Sequence, residues 1–238
     1  MNIHQLLYEI PFFWGDNAHT FILYKTLESS YHAAMNNFDA SRRLFAAFRE
    51  RLSSDDDLRA AFEAAIDTLR SSYNSAIYEN RFIVGGAIEW LFVAVFNGAG
   101  FSAQHVGRGD TRIDLQVRDS KTNLEAGFSS KQSATLAVRL INKLGNGVSE
   151  WKEPTLFVFD GVGVVYADPG LLPDATVQKD DALVMDGNTV KEYIAVHPEQ
   201  VISLRVQAPA KGSIPSSKTA SEDVARAIVR NFPRLSLP

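Results

Sequence analysis

The chain has 238 residues, 45% of them hydrophobic and 22% charged, and a net charge of −4, the balance of an ordinary globular protein. It has no cysteine, which excludes disulfides, thiolate metal sites and a cysteine nucleophile and suits a reducing cytoplasm. The net acidity argues against a protein that coats nucleic acid by charge alone. The N-terminus lacks the basic start of a signal peptide, and the longest uncharged apolar run, residues 90–96, is too short to span a bilayer.

Residues 1–74 read as a helical segment whose role is packing or dimerisation, continuous with the domain that follows. Leu6, Leu7 and Ile10 are apolar anchors, and a helix is expected over 20–36. Asp39 or Ser41 caps another that runs to Leu52. Asp55, Asp56 and Asp57 suit a third start. After them Leu58, Ala61, Phe62, Ala65, Ile66, Leu69 and Tyr73 recur at helical spacing. Residues 75–97 predict a further helix, stopped by Gly98. Glu89 lies within it among Gly85, Gly86, Phe92 and Val93. A buried unpaired charge is costly, so Glu89 needs a metal, hydrogen bonds or an arginine such as Arg81 or Arg112.

Residues 100–110 form a loop or short strand. The most informative stretch follows, residues 111–132, TRIDLQVRDSKTNLEAGFSSKQ. Ile113, Leu115 and Val117 alternate with Arg112, Asp114, Gln116 and Arg118. Leu124, Ala126, Phe128 and Ser130 alternate with Glu125, Gly127, Ser129 and Lys131. This period of two predicts two half-buried strands, and residues 119–123 are turn formers. Pairing Arg118 with Glu125 puts Asp114 opposite Ser129 and Arg112 opposite Lys131, with the apolar faces matched. A slip of two residues would keep the faces as well. Asp110 competes with Asp114 as the key carboxylate, but Asp110 follows two turn glycines whereas Asp114 is flanked by Ile113 and Leu115.

Asp114, Ser129 and Lys131 on such a hairpin, after a helix bearing Glu89, resemble the core of the PD-(D/E)XK nuclease superfamily, which includes many type II restriction endonucleases. The resemblance covers residues 80–145. Two positions depart from the pattern: the family's Pro-Asp is Ile113-Asp114, and its middle carboxylate is Ser129. The resemblance implies an α/β fold, a restriction-endonuclease-like core with a central mixed β-sheet flanked by helices, preceded by the helical N-terminal segment. It implies an Mg²⁺-dependent endonuclease that cleaves double-stranded DNA at specific sites, as a homodimer with a separately encoded methyltransferase. Asp114 would be the central metal ligand and Glu89 the second. The Phe128 carbonyl, Ser129 hydroxyl or Ser130 carbonyl would complete the shell. Lys131 would orient water and offset charge on the phosphate, and Gln132 and Arg112 would meet DNA. The long N-terminal and C-terminal additions favour a restriction-type enzyme over a compact junction resolvase.

Residues 101–152 carry eight Lys or Arg and five acids, a net +3 on an acidic chain, as a DNA cleft would need. A helix is expected over 134–144, ended by Gly145, with Arg139 and Lys143 on one face. Strands are expected at 155–159 and 162–167 around Asp160-Gly161. Further runs at 182–185 and 189–196 flank an Asp-Gly-Asn turn, and a strand follows at 201–207. Residues 208–219 form an exposed loop whose Lys211 and Lys218 would reach DNA. Ser221, Glu222 and Asp223 open a last helix.

Three other readings compete. One is a structure-specific or repair nuclease of the same fold. Another is a DNA-binding module whose site is lost at Ser129. The third is a Ser/Lys hydrolase using Ser129 or Ser130 with Lys131. It is disfavoured because there is no Gly-x-Ser-x-Gly elbow and residues two apart on a strand share a face without hydrogen-bond geometry. No phosphate loop or dinucleotide fingerprint occurs. The five histidines, His105 among them, show no metal-ligand spacing and read as incidental.

Overall fold

A computed structural model describes residues 38–74, 77–107, 112–141, 150–172, 176–206 and 220–238. The expected anchors and helix within residues 1–36, and Lys211 and Lys218, lie outside the described residues. Three helices come first: α1 (Asp39–Ser54), α2 (Asp56–Ser72) and α3 (Tyr78–Gly98). α1 buries Leu44, Phe45, Phe48 and Leu52. The side chain of Asp55 caps α2 by accepting from the Leu58 N–H at 2.9 Å, one of the orphan donors of a helix start. α2 buries the apolar stripe read from the sequence, Leu58 to Leu69.

α3 is buried at every position from Leu91 to Phe96, the pattern of a central helix rather than an amphipathic one. It is the one helix among the described residues long and apolar enough to cross a membrane by composition. Here it packs between α2, the last helix and the sheet.

The main sheet has six strands in the order β1 (Ser102–His105), β2 (Leu115–Asp119), β3 (Leu124–Ser133), β5 (Thr155–Phe159), β6 (Gly163–Ala167) and β9 (Val201–Ser203). It is mixed: β3 and β5 run parallel, and every other neighbour is antiparallel. The protein is therefore an α/β fold with a mixed central sheet flanked by helices. All ten residues of β5 and β6 are buried, as expected of strands covered on both faces. Leu156, Val158, Val164 and Tyr166 face the helices. Phe157, Phe159, Val165 and Ala167 face a second core. That core lies under a smaller antiparallel sheet of β4 (Val138–Ile141), β8 (Ala182–Met185) and β7 (Thr176–Lys179), with α4 (Gly187–Val196) beside it. The last helix, α5 (Ser221–Val229), returns to α3.

Three expectations are corrected. The helix expected over 134–144 is a bend followed by β4, because Val138 and Leu140 are buried alternately with Arg139 and the run pairs with β8, Val138 opposite Met185 and Ile141 opposite Leu183; residues 142–149 lie outside the described residues. The run at 189–196 is helical. Its Asp-Gly-Asn is a cap rather than a hairpin turn, with Asp186 accepting from the N–H of Asn188 (2.8 Å) and Thr189 (3.1 Å). The strand expected over 201–207 ends at Ser203. The strand at Thr176–Lys179 had no sequence counterpart in the reading above.

A buried polar lock ties α1 to the end of β6. Asp168, fully buried, receives a bidentate grip from Arg42 (2.8 and 2.7 Å), the Tyr166 hydroxyl (2.8 Å) and the N–H groups of Gly170 and Leu171.

Candidate functional site

The hairpin register is the expected one, with Arg118 opposite Glu125 and the ladder running to Leu115 opposite Phe128. Gly127 makes this possible at the next step, since a Cβ there would lie 2.6 Å from the Ile113 side chain. Ile113 thus lies across the hairpin, and Asp114 follows it just ahead of β2. The Asp114 N–H donates to the Phe128 carbonyl (2.9 Å), and its own carbonyl accepts from Val106 (2.9 Å). Its backbone is held from both sides.

The Asp114 carboxylate turns toward β3. Its Oδ2 accepts from the Ser130 N–H (2.7 Å) and from the Ser129 hydroxyl (3.0 Å). Lys131 Nζ donates to Ser129 Oγ (3.1 Å) and to the Ser130 carbonyl (3.0 Å), and lies 3.9 Å from Asp114 Oδ2. Ser129 thus links the acid to the lysine. No described residue bonds Asp114 Oδ1.

Glu89 reaches the same place from α3. Its Oε2 shares a hydrogen bond with His105 Nε2 at 2.8 Å, and the imidazole stacks on Trp90 with ring centres 4.6 Å apart and planes 9° apart. The partner is therefore a histidine on β1, not Arg81 or Arg112. Burial raises the Glu89 carboxyl above its usual range, and the nearby Asp114 charge raises it further, against the opposing influence of His105 and Lys131. Two carboxylates thus share one site, each with one oxygen engaged and the other without a partner among the described residues.

Glu89, Asp114, Ser130, Lys131 and Gln132 line one cleft of about 1400 Å³. The Gln132 Oε1 is buried without a hydrogen-bond partner. Ser129 is buried behind the lining, and Arg112 is drawn away. Its Nη1 donates to the Glu150 carbonyl (2.9 Å) and stands 3.8 Å from Glu153, which fastens the chain before β5. The Phe128 carbonyl is taken by Asp114, and the Ser130 carbonyl, on a residue that lines the cleft, accepts from Lys131 Nζ.

The Ser/Lys expectation needs one correction. Ser129 and Lys131 do meet in hydrogen-bond geometry, because the lysine stem folds back along β3. Yet the hydroxyl is buried and its hydrogen bond is committed to Asp114, which gives an attacking oxygen no path to substrate.

His105 was missed from the sequence. Sixteen residues and a strand boundary separate it from Glu89, and no spacing rule links a helix face to a strand face across such a loop. Among the described residues no three His, Cys, Asp or Glu side chains converge as a closed metal cage.

No family model, no curated protein and no solved structure matches this chain.

Proposed function

We propose that the protein is an Mg²⁺-dependent DNA endonuclease that hydrolyses phosphodiester bonds. One observation carries the reading: two carboxylates and a lysine face one open cleft, and each carboxylate keeps an oxygen without a partner among the described residues. The order helix, hairpin, parallel strand, as in α3, β1 to β3 and β5, supports a restriction-endonuclease-like core.

The residues fit a hard cation. Mg²⁺ takes oxygen ligands, retains several waters and needs only one or two carboxylates. Asp114 Oδ1, Glu89 Oε1 and the Ser130 carbonyl would hold it, and its charge would offset the burial and the Asp114 repulsion that raise Glu89. When bound it supplies an acidified water and polarises the phosphate. Lys131 has three N–H donors and spends two on Ser129 and Ser130. The third is available to a phosphoryl oxygen, where a preorganised donor counts most as charge builds. Ser129 replaces the usual carboxylate as a spacer that fixes Asp114 against Lys131.

Cleavage of specific duplex sites by a homodimer, with a separately encoded methyltransferase and a cytoplasmic setting, is what the resemblance adds. A second reading, a structure-specific nuclease, is favoured by exposed aromatic rings in the cleft wall.

The test is incubation of plasmid and phage DNA with Mg²⁺ or EDTA, beside Asp114→Ala and Lys131→Ala. Mg²⁺-dependent hydrolysis, lost in both variants, is the expected result, and discrete bands would make the enzyme site-specific on duplex DNA. Smears or nicks would keep the nuclease and move its substrate. No hydrolysis of duplex, branched or single-stranded DNA would leave a binding module.

A further inference from the structure

We propose that Tyr78 and Phe82 form a stacking platform for unpaired nucleobases, so that the cleft takes single-stranded or locally opened nucleic acid. The inference rests on the nuclease reading and names the substrate class of that same site.

Tyr78 and Phe82 are 65% and 61% exposed, and are the most exposed aromatic residues described. Exposure of two large rings side by side needs a reason, because apolar surface in contact with water is unfavourable. They sit four residues apart on one face of α3 and touch edge to face, with centres 5.3 Å apart and planes 85° apart. Both line the cleft that holds Glu89, Asp114 and Lys131. Arg81 and Gly85 lie on the same wall. A Cβ at Gly85 would meet nothing within 4 Å, so helix backbone lies bare between the rings and Glu89. Phe82 precedes Glu89 by seven residues, about 10 Å along a helix. A strand whose scissile phosphate lies at Asp114 and Lys131 would bring bases a few nucleotides away onto the rings.

A continuous duplex offers the rings little. Its base faces are covered by their neighbours, and only edges are open in the grooves. Unpaired bases present both faces to an aromatic ring, and each such stack is worth about 1–3 kcal/mol whatever the sequence. An edge-to-face pair leaves ring face open for this contact.

The experiment uses the full chain with Ca²⁺ in place of Mg²⁺. Oligonucleotides carrying 2-aminopurine are prepared as single strand, blunt duplex and splayed-arm duplex. Wild type is expected to bind the single strand and the splayed arm more tightly than the duplex, and to quench 2-aminopurine by stacking. Tyr78→Ala with Phe82→Ala should weaken single-strand binding about 10- to 100-fold, abolish the quench and leave duplex binding within about twofold. Tyr78→Phe should keep both signals, since it keeps the ring. Both side chains are exposed, and circular dichroism confirms that the variants fold. Equal binding of single strand by wild type and the double alanine variant overturns the proposal, as does tighter binding of intact duplex. A change of oligomeric state in the double variant without a change in binding also overturns it, and assigns the rings to self-association. Mg²⁺-dependent cleavage is scored separately on the same substrates. Cleavage of duplex alone sinks the platform and leaves the nuclease standing. Quenching without any cleavage leaves the platform and sinks the nuclease.

Discussion

His105 Nε2 lies 2.8 Å from Glu89 Oε2 and joins strand β1 to helix α3 at the edge of the cleft. An ionised carboxylate only accepts, so the imidazole N–H fixes which Glu89 oxygen faces the protein and which faces the cleft. Partners of this kind orient metal ligands, and their loss typically costs 10- to 100-fold in metal affinity or activity. His105→Ala is therefore expected to raise the Mg²⁺ concentration for half-maximal cleavage about tenfold or more. His105→Gln, whose amide N–H extends toward the place of Nε2, should recover much of it. A Mg²⁺ titration of cleavage rate checks this; an unchanged midpoint would make the contact merely structural.

Glu89 also sets a pH dependence. Burial and Asp114 raise its carboxyl in the folded protein. A raised carboxyl favours the folded state while protonated, and that contribution is lost as pH rises through the folded value. In EDTA, Glu89→Gln is thus expected to melt higher than wild type at neutral pH, with the gain shrinking as pH falls through the raised value. The same variant should lose Mg²⁺-dependent cleavage. Thermal melts of both proteins across pH 4 to 8 measure the first effect, and a gain that stays constant with pH would contradict it.

The hairpin was legible because its alternation of apolar and polar residues admits few registers; the observed Arg118–Glu125 pairing is one of them, and a slip of two would have kept the same faces. Helix α2 was legible because it carries a strong apolar stripe and Asp55 is a good cap. Residues 134–144 were misread because Val138 and Leu140 fit either period over so short a run. Only the pairing of Val138 with Met185 and of Ile141 with Leu183 decides it. Asp-Gly-Asn at 186–188 serves a hairpin or a helix cap equally well. Within the site, Asp114, Ser129 and Lys131 are tied by local register. The Glu89–His105 contact is tertiary and leaves no local trace. Tyr78 and Phe82 share a helical face with Glu89, yet nothing local states that this face stays open.

Ser129 tests whether the site tolerates a hydroxyl where a carboxylate is usual. Its hydroxyl bonds Asp114 and accepts from Lys131. Both partners keep other bonds, to the Ser130 N–H and carbonyl. Ser129→Ala removes a hydrogen bond to a charged group, worth about 1.5–3 kcal/mol, so single-turnover cleavage should slow about 10- to 100-fold with KM unchanged. Lys131→Ala should cost about 10²–10³-fold, the loss seen when a charge-stabilising donor is removed. Ser129→Ala as inactive as Lys131→Ala would revive the Ser/Lys reading.

The lock at Asp168 contributes no residue to the lining of the cleft and should act on stability. Its carboxylate is fully buried, and Arg42 is the only cation that pairs with it among the described residues. Breaking a buried ion pair from one side leaves an uncompensated charge and costs about 3–5 kcal/mol. Arg42→Ala should fall at the lower end, because the Tyr166 hydroxyl and two backbone N–H groups still face the acid. Arg42→Ala with Asp168→Asn removes the stranded charge and should recover part of the loss. Urea unfolding measures both. With a slope of about 2–3 kcal/mol per molar, the single variant should drop the midpoint by about 1 M. Equal midpoints for the single and double variants would mean that Asp168 does not rely on the arginine for its charge, and that the hydroxyl and backbone donors suffice.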